Sequence, residues 1–264
     1  MRRFILIFLL YLASAYFFDR SHAENLTFVV FGDIHLQDIA SDGEKILSRI
    51  VENINSHKPK PEFAVCLGDI VGYPSSIDPV KYVNAIDKYL MLTEKLVAIP
   101  VYTIPGNHDL EGGEKFRDIF QAKIGPLFFS IEKKGVLLIF LNSEDFSGEQ
   151  LSWLNNQLKN KSMKLVFTHK PVFPVFANQN YSLDLKTSLY LRGSFMQNNV
   201  IAVFSGHEHF FYQKKSGKIM QIISGGAGGR LAPVPENGKS AHHYCIITVT
   251  ETGSVITEPV IIEK

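Results

Sequence analysis

Five short apolar runs in this chain each end in a side chain that binds metal or moves protons, and that repetition constrains the fold more than any other feature. Residues 26–31 run into Gly32-Asp33-Ile34-His35, and residues 63–67 into Gly68-Asp69. Residues 101–104 lead through Pro105 to Gly106-Asn107-His108-Asp109. Residues 164–168 stop at His169, and residues 200–205 at Gly206-His207-Glu208-His209. Short apolar runs bounded by glycine read as buried strands. Amphipathic stretches at 43–55 and 80–96 separate the first three and predict helices. Strand–helix–strand order at this spacing argues for parallel strands with right-handed crossovers, an α/β fold. The carboxyl ends of parallel strands share one rim, where such sheets bind ligands, so the polar groups are expected together there.

The texture changes further on. Residues 127–131 and 136–141 flank Glu132-Lys133-Lys134-Gly135, a hairpin signal. Helices are expected at 114–122, 148–159 and 185–197, and strands at 210–214, 218–224, 244–250 and 254–262. No repeat or linker divides the chain, and 264 residues suit a single core, so one domain over 24–264 is expected.

Residues 1–23 stand apart from that domain. Arg2 and Arg3 precede an apolar run, and Ser21-His22-Ala23 puts small residues where a signal peptidase cuts. The expectation is an exported protein, periplasmic or secreted, with no stable membrane span once the leader is gone. Removing Arg2, Arg3, Arg20 and Asp19 from totals of 27 basic and 26 acidic residues leaves 24 against 25. A near-neutral chain lacks the basic footprint of a dedicated nucleic-acid binder. Cys66 and Cys245 both lie in apolar stretches and read as buried hydrophobes, not a disulfide.

Asp33, His35, Asp69, Asn107, His169, His207 and His209 form an oxygen-and-imidazole donor set without thiolate. Such donors suit Mn, Fe, Co or Zn. They are too many for one ion and suit two divalent or trivalent ions sharing a bridging carboxylate. The glycines before Asp33, Asp69, Asn107 and His207 suit sharp turns aiming short side chains into the rim.

In this order, Gly-Asp-Ile-His, Gly-Asp, Gly-Asn-His-Asp, an isolated His and Gly-His-Glu-His resemble the calcineurin-like metallophosphoesterases, over roughly residues 27–250. Residues 150–154 (Gln-Leu-Ser-Trp-Leu) and 224–229 (Ser-Gly-Gly-Ala-Gly-Gly) resemble segments of its small phosphodiesterase and acid-phosphatase-like members. The resemblance implies a four-layer α/β/β/α sandwich of two mixed sheets flanked by helices. It implies one ion on Asp33, His35, Asp69 and His209, and another on Asp69, Asn107, His169 and His207. His108 would contact phosphate and protonate the leaving oxygen, with Asp109 orienting it. The reaction implied is in-line attack on phosphorus by a hydroxide held on the metals. Purple acid phosphatases resemble this family but use a tyrosine ligand and lack the first-motif His; with His35 present, Tyr73 reads as a loop aromatic.

The substrate expected is a small phosphoester. A diester is favoured, a monoester is the alternative, and a non-catalytic scaffold of the same fold is the reading from another class. Oligomeric state is left open. Glu208 is expected outside the ligand set, since His207 and His209 would alternate about it along an extended segment. His242 and His243 read as ordinary surface residues opening a strand. The glycine run at 225–229 with Arg230 reads as turns more than as a phosphate cradle, because no helix clearly follows it.

Overall fold

The computed structural model describes residues 24–38, 40–72, 78–176 and 183–263; the expected leader and Tyr73 lie outside them. β1 (Leu26–Phe31) is buried on both faces apart from Thr27, which suits the middle of a layered structure. It pairs in parallel with β2 (Ala64–Cys66), and β2 pairs in parallel with β3 (Val101–Thr103). The crossovers are α1 (Gly43–Ser56) and α2 (Pro79–Thr93). After β3 come a one-turn helix, α3 (Asn107–Leu110), and then α4 (Glu114–Lys123).

The chain then builds a second sheet. β4 (Phe129–Lys133) and β5 (Val136–Phe140) form the expected hairpin, with Lys134 (φ 47°) and Gly135 (φ 74°) both left-handed, as a two-residue turn of this hand requires. α5 (Gly148–Leu158) leads to β6 (Met163–Phe167), and α6 (Leu185–Gln197) to β7 (Val200–Ser205). β8 (Phe211–Ser216) and β9 (Ile219–Ser224) complete this sheet in the order β4-β5-β6-β7-β9-β8. β10 (His243–Val249) and β11 (Val255–Ile261) return to the first sheet, giving β11-β10-β1-β2-β3. Both sheets are mixed: β10 pairs antiparallel with β1 and β11 in the first, and β4 with β5 and β8 with β9 in the second.

Three apolar cores separate four layers. Ile46, Leu47, Ile50 and Ile54 line one face of α1 and pack with Phe31, Cys66 and Ile246 of the first sheet. Leu154, Leu158, Leu191 and Phe195 of α5 and α6 pack with Ile139, Val166 and Val203 of the second. Between the sheets lie Phe28, Val30, Val65, Leu165, Phe167, Phe204 and Cys245. Phe129, Phe140, Phe167 and Phe204 stack in series across β4 to β7, with centroids 4.4, 4.8 and 4.9 Å apart. The sandwich expected from the resemblance is present.

Cys66 and Cys245 are free and buried, in the helix-side and inter-sheet cores respectively, and burial pushes both thiols up to about 12. Among the described residues, no helix is long and apolar enough to cross a membrane.

Phe28 is fully buried, with its ring 4.7 Å from Phe63, 5.6 Å from Phe204 and 5.9 Å from Phe167. Truncation there leaves a cavity that both sheets line. Phe28→Ala is expected to cost about 3–5 kcal/mol in urea unfolding; a loss below about 1 kcal/mol would mean the inter-sheet core is not the main seam.

Candidate metal centre

Non-glycine residues rarely adopt positive φ, and those that do cluster at functional sites. Asp33 (61°), His35 (54°), Asp69 (51°), His207 (70°) and His209 (52°) all do so. Backbone bonds over-determine these turns. Asp33 N donates to Gly68 O at 3.0 Å, Ile34 N to Asp69 O at 2.9 Å, and Gly206 N to His169 O at 3.0 Å. Gly68 has φ 92°, and a Cβ there would run into the Gly106 amide. The β2 and β3 loops can approach this closely only without that atom.

The side chains meet in two groups. Asp33, His35, Asp69 and His209 each offer a donor atom within 4.8 Å of the others, and so do Asp69, His169 and His207. Asn107 joins the second group through its Oδ1, 3.1 Å from His169 Nε2. Asp69 is common to both groups, its Oδ2 3.5 Å from His35 Nε2 and 3.3 Å from His169 Nε2. Asp33, Asp69, His35 and His169 are all at most 3% exposed.

The donor chemistry fits metal ions. His169 Nδ1 donates to Leu67 O at 2.8 Å, and His209 Nδ1 to Arg230 O at 2.7 Å, which directs each Nε2 lone pair into the cluster. Around His169 Nε2 stand Asn107 Oδ1, Asp69 Oδ2 and, at 3.2 Å, His207 Nδ1. Several lone pairs converging on one buried point repel unless a proton or cation lies between them. The buried His35 Nε2 has no hydrogen-bond partner among the described residues.

Electrostatics agree. Burial would raise Asp69, but the neighbouring His169 and His35 hold it well below the usual carboxylate range. Burial would lower His169, but the Asp69 carboxylate pushes it up to about 10. Against the same burial penalty, Asp33 lifts His209 to about 9. His207 is driven down to about 4, chiefly by burial and then by His169. Without metal, protons on His169 and His209 neutralise the carboxylates; bound cations would take their place.

The expected ligands are thus brought together, with corrections in detail. His207 and His209 reach the cluster from left-handed turns rather than by alternation along an extended segment. Asp109 is not the carboxylate beside the His108 ring. Its Oδ1 accepts from Ile70 N (3.0 Å) and Val71 N (3.1 Å) and its Oδ2 from Gly106 N (2.8 Å), tying two motif loops together. The carboxylate nearer His108 is Glu111, with Oε2 3.3 Å from Nδ1. One helical turn separates these residues, and that i,i+3 spacing was the signal available in the sequence. His242 and His243 are buried, not surface, and burial drives His243 down to about 4.

A mixed-sheet α/β/β/α sandwich with Asp, His and Asn converging at its strand ends defines a class of metal-dependent hydrolase. The chain belongs to the calcineurin-like phosphoesterase family, which it matches over residues 26–211. It is 25% identical to the human serine/threonine-protein phosphatase CPPED1 over 227 residues, 78% of this chain and 70% of that one. It is 30% identical to the "probable glycerophosphodiester phosphodiesterase GpdQ" of Arcobacter nitrofigilis over 186 residues, 64% of each chain. Its fold is similar to a purple acid phosphatase from yellow lupin, with TM-score 0.72 and 13% identity over 90% of this chain and 52% of that one. The chain is a metal-dependent hydrolase of phosphoric esters.

Asp109→Ala removes the acceptor for three backbone N–H groups. In metal-free protein it is expected to lower unfolding stability by about 2 kcal/mol or more, since each orphaned buried donor costs about 1–3. A loss under about 0.5 kcal/mol in urea unfolding would return Asp109 to a role at His108.

Proposed function

We propose that this enzyme is a two-ion phosphodiesterase. Asp33, His35, Asp69 and His209 hold one ion, and Asp69, Asn107, His169 and His207 the other. The observation that carries the reading is the sharing of Asp69, whose one carboxylate faces both donor groups. When bound, such an ion pair offsets charge on phosphate oxygens and acidifies the attacking water.

The protein's own groups do the rest. His108 is partly exposed at the rim, with Nε2 3.9 Å from Asp69 Oδ2. From there it binds a phosphate oxygen and delivers a proton to the leaving oxygen. Burial holds His108 below the usual imidazole range, and Glu111, 3.3 Å from Nδ1, opposes that shift by favouring the charged ring. Asp69 Oδ1 accepts from His108 N at 2.9 Å, so the separate turns that carry ligand and acid are tied together.

The diester reading draws on the clefts beside the cluster. One, of about 270 Å³, is lined by His35, Gln37, Asp38 and Lys88. Another, of about 370 Å³, is lined by Ser143, Glu144, Lys170 and Thr187, and Lys170 directly follows His169. A phosphate with a substituent can extend it into the first cleft, which the ligand His35 lines. The GpdQ relative's name supports the same choice. The leader pattern of residues 1–23 supports an exported enzyme.

Metal-stripped protein reloaded with Mn, Fe, Co or Zn is expected to regain hydrolysis of a chromogenic diester faster than of its monoester. Asp69→Ala is expected to abolish both metal binding and turnover. His108→Ala should keep both ions and lose about 10²–10⁴-fold in kcat. Monoester preference would replace the diesterase reading with a phosphomonoesterase. Failure of the wild-type chain to bind ions would leave a scaffold.

A further inference from the structure

Gly225, Gly226, Gly228 and Gly229 carry the chain from the end of β9 into the interior of the metal centre, where all are buried. Their backbone is occupied with the protein itself. Gly225 N donates to Phe210 O at 3.3 Å, Ala227 N to Gly32 O at 2.9 Å, and Gly229 N to Asp33 O at 2.8 Å. Those N–H groups are spent on carbonyls, so they do not form a phosphate cradle.

What the run does instead is leave room. A Cβ on Gly229 would lie 2.8 Å from His35 Cδ2, 3.0 Å from Asp33 O and 3.2 Å from His209 Cε1. A Cβ on Gly225 would lie 2.7 Å from Asp33 Oδ2 and 2.8 Å from His209 N. The His35 and His209 rings pack edge to face, with centroids 4.6 Å apart, so neither can yield without moving the other. The three nearest atoms at each of the two glycines all belong to Asp33, His35 or His209, ligands of one half.

We propose that Gly225 and Gly229 are positioning residues for one metal half: by presenting no side chain they set the spacing of Asp33, His35 and His209. This rests on the two-ion reading above. A methyl group at Gly229 meets both imidazoles and the Asp33 carbonyl; the imidazoles, as side chains, give way more readily than the backbone, so that half loses affinity. The other half shares Asp69 and takes His207 from the same loop as His209, but its Asn107 and His169 come from other segments, and it keeps its ion.

Mn(II) binding to the full chain tests this, by titration calorimetry and by elemental analysis after desalting. Wild type is expected to hold two ions, and Gly229→Ala one, with the lost site weakened about 10- to 100-fold. Combined with His35→Ala, Gly229→Ala should remove nothing further; combined with His207→Ala, it should leave none. Gly135→Ala, in the exposed β4–β5 turn with nothing within 4 Å, controls for general destabilisation and should keep both ions. Two ions on Gly229→Ala at wild-type affinity would overturn the proposal while sparing the two-ion reading. An unfolded Gly229→Ala chain, or equal ion loss in Gly135→Ala, would also overturn it by making the role structural. Fewer than two ions on wild type would overturn the reading and the proposal together.

Discussion

Two carboxylates, Asp33 and Asp69, lie almost wholly out of water at one end of a β-sandwich. A buried charge without partners costs several kcal/mol, so the surrounding loops have to supply donors. Both oxygens of Asp33 lie 2.9 Å from His207 N, which belongs to the loop after β7 in the opposite sheet. Asp69 Oδ1 takes His108 N, from the one-turn helix after β3. These bonds join the first motif to the fifth and the second to the third. The requirement to solvate two anions therefore closes the rim across both sheets. The left-handed backbone at the ligands lets consecutive groups turn inward.

Each imidazole is held with equal care. Leu67 O and Arg230 O fix the rings of His169 and His209, and Asp109 anchors the two turns that carry Asp69 and His108. The donor atoms are thus preorganised by the backbone rather than by one another, as a site that must accept an ion without rearrangement requires. Backbone strain at the ligand turns is offset by the hydrogen bonds that the same turns complete.

The sequence revealed the strand ends and the donor residues because a buried strand is a short apolar run, and its abrupt ending in Asp or His is a local signal. The existence of two sheets is not local. β1, β2 and β3 lie in one sheet and β6 and β7 in the other, yet all five runs look alike, and only the family resemblance separated them. Side-chain partners were the least legible part. Asp109 stands next to His108, but helical geometry turns neighbours apart and brings Glu111 round instead. His242 and His243 are polar by composition and so read as surface. In the fold, His243 fills the space that Gly226 leaves empty, a relation between distant segments that no window of sequence contains.

The two cysteines bear on where such a protein can fold. Cys66 faces the helices and Cys245 faces the second sheet, on opposite sides of the layer that β1 helps form. With the layer between them, no native disulfide can form, and neither sulfur is presented to a thiol or an oxidant. The fold consequently owes nothing to cross-linking. Adding or removing a thiol reductant therefore neither breaks nor forms a bond between these two sulfurs.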